Sequence, residues 1–107
     1  MNVFLGTEIK LNIKIDPIEN QTMDDFYWEV EAYTSSKKCV KLTSENAEHR
    51  IGNGDDVSYI MIVDTSILGV GDILCRITVH LKDSQIGNET RKEVVIINPD
   101  ITIINGI

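Results

Sequence analysis

The sequence predicts an all-β fold, an immunoglobulin-like antiparallel β-sandwich of about seven strands in a single domain over residues 1–107. Apolar and polar residues alternate with a period of two in several segments, which indicates strands that bury one face. Turn-forming residues separate these segments, and no segment has a convincing helical period. A small β-barrel fits the same pattern and stays open as the alternative architecture.

The first half of the chain contributes three predicted strands. Residues 7–15 alternate cleanly, and Asp16-Pro17 ends this strand because proline cannot donate a hydrogen bond to a neighbouring strand. Residues 26–34 form the second strand, in which Trp28 is predicted to be the largest side chain of the core. The alternative for Trp28 is that it lines a ligand groove. A short third strand follows at residues 39–42.

The second half contributes four more predicted strands. Residues 57–63 are rich in β-branched and aromatic side chains, which is typical of a central strand. Two glycines within residues 68–71 predict a tight corner, and a long amphipathic strand follows at residues 73–81. Residues 90–97 and residues 101–104 form the last two predicted strands.

Bulk composition narrows the classes of function. The chain is 42% hydrophobic and 25% charged, which is typical of a soluble globular protein. Its formal net charge of −7 disfavours binding to a phosphate backbone, so no nucleic-acid partner is expected. We expect no secretory signal and no membrane segment, because no basic start with an apolar run and no apolar stretch of about 20 residues occurs.

No motif for nucleophilic catalysis stands out. His49 lies in a polar loop and His80 on the outward side of a strand, and both are predicted to be solvated surface residues. Cys39 and Cys75 fit no zinc or redox spacing, and both are predicted to be buried, reduced thiols. A bridge between them on facing strands is the alternative. The chain is therefore expected not to be an enzyme.

Cofactor and metal motifs are equally sparse. The adjacent pairs Asp24-Asp25 and Asp55-Asp56 have the carboxylates that weak calcium binding needs, but turn residues with solvated charge are the simpler interpretation. Gly69-Val70-Gly71 precedes a strand, whereas a dinucleotide fingerprint requires a helix there. We expect no cofactor.

Two long segments resemble structural proteins of phages and prophages of Bacteroides-type bacteria. Residues 68–83 (LGVGDILCRITVHLKD) contain a glycine corner, a strand with Arg76 and the aspartate Asp83 after it. Residues 90–106 (TRKEVVIINPDITIING) contain an Arg-Lys-Glu-Val-Val element and then an apolar strand that leads out of the domain. The opening LGTEIKLNIKI and the strand FYWEVEAYT are also similar to such domains.

This resemblance implies a virion structural module, assembled in the host bacterial cytoplasm, that anchors or assembles a capsid or tail appendage. Its implied partners are other virion proteins and further copies of itself. Residues 99–107 are predicted to be a docking or continuation strand, because they end the chain on an apolar run. The expected interface residues are Arg76, His80, Arg91, Ile101, Ile103 and Ile104.

A second hypothesis is a module that binds carbohydrate or another molecule of a host surface. It would use the aromatic faces of Tyr27, Tyr33 and Tyr59 together with loop carboxylates. These tyrosines are also compatible with ordinary outward positions on strands, so the sequence leaves this alternative open.

Overall fold

The structure of the protein is a computed structural model that describes residues 1–15, 22–53, 56–82 and 90–106, with the backbone alone at positions 81, 82, 90 and 91. The predicted strand end at Asp16-Pro17 lies outside these residues. The described residues form ten strands and one short helix. The elements in chain order are β1 (Asn2–Phe4), β2 (Glu8–Ile13), β3 (Tyr27–Tyr33), β4 (Cys39–Thr43), β5 (Arg50–Ile51), β6 (Ser58–Asp64), α1 (Thr65–Leu68), β7 (Gly71–Asp72), β8 (Leu74–Lys82), β9 (Thr90–Ile97) and β10 (Thr102–Ile104).

Two antiparallel sheets bury their apolar faces in one core. The larger sheet has the order β4-β3-β8-β9, and the smaller has the order β2-β6-β5. Alternate residues of β2 and β3 are buried, as their period-two sequences predicted. The buried residues of both sheets belong to a single hydrophobic cluster, so the two sheets stabilise each other.

A third sheet joins the two ends of the chain in the order β1-β10-β7. Strand β10 runs parallel to β1 and antiparallel to β7. The apolar C-terminal run therefore pairs within its own chain, where β10 occupies the centre of the sheet. Ile103 of this strand is fully buried and Ile101 is 7% exposed.

Trp28 lies at the centre of the core, as the sequence predicted. Its side chain is fully buried, and its indole N–H donates a hydrogen bond to the Met23 carbonyl oxygen at 3.1 Å. The Tyr59 ring on β6 lies 5.1 Å from the indole in a tilted arrangement, which joins the two sheets through an aromatic pair. The ligand-groove alternative for Trp28 does not hold, because the ring has no exposed surface.

Each of the seven predicted segments contains a strand, and the prediction of an all-β protein is confirmed. The predicted count of about seven is too low for the described residues, since β1, β5 and β7 are additional. These strands have only two or three residues, too few to show a period in the sequence. β1 and β7 form by pairing with the distant β10, and β5 forms by pairing with the adjacent β6.

The predicted glycine corner is present between β6 and β8. Asp64 caps α1 by accepting a hydrogen bond from the Ser66 backbone N–H at 3.0 Å, and Gly69 ends it with a φ of 80°. The buried Thr65 hydroxyl accepts from the Gly6 N–H at 2.9 Å and donates to the Thr7 carbonyl at 2.7 Å. This corner therefore holds the connection between β1 and β2 in place.

The prediction that both cysteines are buried is correct for Cys75 and wrong for Cys39, which is exposed. The register explains the difference, because Cys39 pairs with Tyr33 on the outer face of the sheet. Both thiols are free. Strands β4 and β8 flank β3, so the two cysteines lie about 10 Å apart, which is too far for a disulfide.

Candidate protein interface

Four consecutive aliphatic residues are exposed at the end of β9, and they are defined here as the β9 edge: Val94, Val95, Ile96 and Ile97. These four side chains are 45–55% exposed. Strand β9 is the last strand of the larger sheet, and among the described strands it pairs with β8 alone. Within the described part of the chain, no strand pairs with its other side.

Residues 94–97 expose aliphatic side chains on both faces of β9. Val95 and Ile97 lie opposite Ile77 and Cys75 and so face the core side of the sheet, where these two partners are buried. Ile96 lies opposite Arg76 on the outer side. Among the described strands, β2 is the last strand of the opposing sheet, and Val95 and Ile97 stay exposed beyond it.

An apolar groove of about 510 Å³ separates the β9 edge from the end of β2. Its lining is mainly aliphatic and includes Ile15, Ile77, Val79, Val95 and Ile97, with Lys14 and Glu93 as the charged members. A second hollow of about 310 Å³ shares Ile77 and Ile97 and continues along β2 toward Pro99. Since β2 is also the last strand of its sheet, two sheet edges border this space.

The charges of β9 lie in its first half, at Arg91, Lys92 and Glu93, and its last four residues carry none. Natural sheets discourage pairing with other chains by placing charges or proline on their edge strands. Strand β4, the opposite edge of the same sheet, carries Lys41, whose ammonium lies 2.7 Å from the Glu29 carboxylate. In β9 the charged residues precede Val94, and the four residues that follow are aliphatic. The edge is thus suited to pairing with another strand.

Two predicted interface residues lie on the outer face of the larger sheet. The Arg76 guanidinium is 3.9 Å from the Glu31 carboxylate and 5.5 Å from the centre of the Tyr33 ring. The half-buried His80 stacks at a tilt on Tyr27, with 5.4 Å between ring centres. The structure therefore brings both residues to the face beside Ile96, although their own contacts are within the chain. The Arg91 side chain lies outside the described part of the chain.

Of the other three predicted interface residues, Ile103 and Ile104 lie in β10 and Ile101 lies directly before it. Ile101 and Ile103 are buried in the chain's own core, so their side chains have no surface to offer a partner. Ile104 is half-buried. Ile101 and Ile103 were predicted at an interface because they are apolar, but they pack inside the domain. The sequence reasoning did not select Val94 to Ile97, although four consecutive aliphatic residues at the end of a strand were the available signal.

The three tyrosines of the carbohydrate hypothesis do not form one platform. Tyr59 is buried, and its hydroxyl donates a hydrogen bond to Asp24 at 2.6 Å. Tyr27 and Tyr33 stand at opposite ends of β3, about 20 Å apart. A sugar ring could stack on one of them but not on the group, so the geometry does not favour this hypothesis.

The carboxylate of Asp24 accepts hydrogen bonds from side chains of the same chain. Arg50 donates to it at 2.6 Å and 3.0 Å, and the hydrogen bond from Arg50, followed by that from Tyr59, lowers the pKa of Asp24. Burial, and then the hydrogen bond to Asp24, raises the pKa of Tyr59. Among the described residues, no three His, Cys, Asp or Glu side chains group closely enough to hold a metal ion. Asp55 of the second acidic pair lies outside those residues.

Comparisons of the chain with protein-family models, with curated proteins and with solved structures found no match. Within the described residues, no helix has the length and apolar character that crossing a membrane requires.

Proposed function

We propose that this chain is a non-enzymatic assembly module of a phage virion, which anchors or assembles a capsid or tail appendage through protein–protein contacts. The observation that carries this proposal is the β9 edge beside its apolar groove. An edge strand whose last four residues are aliphatic and exposed on both faces is suited to β-strand addition, in which backbone hydrogen bonds supply affinity. The resemblance of residues 68–83 and 90–106 to virion proteins supports the proposal that the chain belongs to a virion.

We also infer that the fold is an immunoglobulin-like sandwich. The pairings of β2 with β6 and of β3 with β8 and β9 support this inference, because they place two antiparallel sheets around one core. Such a domain presents its edges laterally, which suits a module that repeats or docks along an appendage.

Whether the chain is part of a phage virion can be tested on purified particles. Phage particles induced from a strain that encodes this chain are banded by density, and the fractions are analysed by quantitative mass spectrometry. The chain should follow the major capsid protein across the gradient at a constant ratio. An abundant cytosolic protein serves as the control and should not follow it. A chain that stays at the top of the gradient with the cytosolic control contradicts the proposal.

A further inference from the structure

We infer that the groove beside β2 binds an extended segment of another protein, which adds a strand to the smaller sheet at the free edge of β2. The segment has aliphatic residues at every second position, facing the groove, and acidic residues between them. This inference rests on the proposed function and names the kind of partner at the same surface. The added strand pairs with β2 and lies over the core side of the β9 edge.

The groove has the length and position of one strand. Its two hollows, of about 510 Å³ and about 310 Å³, together follow the chain of β2 from Lys10 to Ile15. Six residues of a strand cover about 20 Å. Among the described residues, the larger sheet has four strands and the smaller has three. A strand placed in the groove would be the fourth strand of the smaller sheet and would face β9.

The free edge of β2 presents backbone groups at the spacing of a peptide. Among the described strands β2 pairs with β6 alone, and the Thr65 N–H donates to the Thr7 carbonyl oxygen at 3.2 Å in the same register. Bonded and non-bonded positions alternate in an antiparallel pair, so the odd-numbered residues of β2 bond to β6. The N–H and C=O groups of Lys10 and Asn12 therefore point to the groove side, about 7 Å apart. Another extended backbone matches donors and acceptors with this period.

The floor of the groove, formed by Ile77, Val95 and Ile97, selects aliphatic side chains. Val95 and Ile97 are 52% and 45% exposed, whereas Ile77 belongs to the core. Every second side chain of a strand beside β2 faces this floor, because the alternate residues of β2 itself point to the core. Aliphatic residues at these positions remove Val95 and Ile97 from water, which stabilises the complex.

The outer row of β2 selects acidic side chains. The residues that alternate with its apolar ones are Glu8, Lys10, Asn12 and Lys14. Lys14 pairs with Asp56 at 2.7 Å, and Lys10 is exposed in the middle of the row. Opposite charges on neighbouring strands are stabilising and like charges are destabilising. A carboxylate beside Lys10 is therefore favoured over an ammonium group.

Synthetic peptides test this inference. The probe is an acetylated and amidated peptide of about ten residues, the length of a long strand, in which valine and glutamate alternate. Fluorescence anisotropy of its labelled form should give a dissociation constant below about 100 µM with the full chain. A peptide of the same composition with its valines grouped, and the alternating peptide with lysine in place of glutamate, should each bind about tenfold more weakly.

Substitutions in the chain locate the site. Val95→Gln places an amide on the floor and should weaken binding of the valine–glutamate peptide about tenfold. Ile51→Gln is the matched control, because Ile51 is 49% exposed on β5 at the other edge of the smaller sheet, and it should bind as wild type does. Lys10→Glu should reverse the preference, so that the lysine peptide binds more tightly than the glutamate peptide. Circular dichroism checks that each variant folds.

Hydrogen exchange of the wild-type chain locates the peptide without any variant, and it replaces Val95→Gln if that variant does not fold. The Lys10 and Asn12 amides should exchange at least about fivefold more slowly when the peptide saturates the chain. The Ile51 amide on β5 should keep its rate.

Several results would overturn the inference. They are no binding at about 500 µM peptide, equal affinity for the grouped peptide, unchanged binding to folded Val95→Gln, and Lys10 and Asn12 amides that gain no protection. Decanoate that binds as tightly as the peptide would assign the groove to a small apolar ligand. Dimers of the chain alone that protect these two amides would assign it to a second copy.

The outcomes separate this inference from the proposed function. A chain that bands with phage particles but does not bind the peptide would be anchored through another surface, so that this inference fails while the proposed function stands. A chain that binds the peptide as described but never appears in particles would have the opposite meaning.

Discussion

Trp28 links packing and hydrogen bonding at a single residue. Trp28→Phe should lower the free energy of unfolding by about 2–3 kcal/mol, because it leaves a cavity and deprives the buried Met23 carbonyl of its donor. Urea denaturation followed by circular dichroism measures this change. Tyr27→Phe, on the outer face of the same strand, should stay within about 0.5 kcal/mol of wild type. Equal losses in both variants would show that the indole has no special role.

The contacts of Asp24 make folding sensitive to acid. Hydrogen bonds from Arg50 and then Tyr59 hold its pKa below the ordinary value of 3.8 in the folded chain. A carboxyl group with a lowered folded pKa adds stability above its unfolded pKa, and this stability disappears as the pH falls through the folded pKa. Asp24→Asn should therefore flatten part of the decline in unfolding free energy below about pH 5.

Chemical denaturation at intervals from about pH 6 to about pH 2 measures that decline. Tyr59→Phe removes the smaller of the two hydrogen-bond contributions, so its curve should lie between those of wild type and Asp24→Asn. Curves that differ by a constant offset, with the same slope in acid, would show that the ionisation of Asp24 is not linked to folding.

The exposure of Cys39 could not be predicted from its residue type. Its apolar neighbours suggested a buried thiol, but the register with Tyr33 places it on the outer face, while the adjacent Val40 lies opposite the buried Ala32. In a five-residue strand, one step of register exchanges the two faces. That register depends on how the strand pairs with its neighbour, so the sequence of the strand alone does not determine it.

Two neighbouring isoleucines of β10 differ clearly in burial. Ile103→Ala should lower the free energy of unfolding by about 3 kcal/mol, because the fully buried side chain leaves a cavity at the centre of the terminal sheet. Ile104→Ala, one residue later and only half-buried, should cost clearly less. Thermal and urea unfolding of both variants measure the difference. Equal costs would contradict the placement of β10 in its sheet.

The strands with a clear period could be predicted together with their buried faces. In β2, β3 and β8, three or more apolar residues recur on one side, which fixes both the element and its orientation. The four consecutive aliphatic residues of β9 have no period, so the sequence could not indicate which face is covered. The order of strands decides this, since it leaves β9 at an edge beyond the reach of the other sheet.

The candidate interface was predicted only in part for the same reason. Arg76 and His80 were selected because they point outward, and both lie on the face next to the β9 edge. The edge itself depends on which strand is last in the sheet, and periodicity does not contain that information. Ile101 and Ile103 were selected for their apolar character, which also describes residues of a core.

At the scale of the whole molecule, net charge opposes self-association. Each copy carries a formal charge of −7, so two copies repel each other when little salt is present. Raising the ionic strength from about 0.01 M to about 0.15 M shortens the screening length from about 30 Å to about 8 Å. The repulsion between copies should therefore decrease over this range, which static light scattering measures as a less positive second virial coefficient. A coefficient that rises with salt would indicate attractive charged contacts between copies and contradict this expectation.

The parallel pairing of β1 with β10 determines how the domain responds to tension. The Thr102 N–H donates to the Met1 carbonyl at 2.9 Å and the Leu5 N–H to the Ile104 carbonyl at 2.8 Å. Force applied between the two ends pulls these strands in opposite directions along their length, so all their hydrogen bonds are loaded together in shear. Optical-tweezer extension through residues 1 and 107 should then require more force than extension through residues 74 and 97, where β8 and β9 unzip one bond at a time. The two ends of the chain thus form a mechanical clamp.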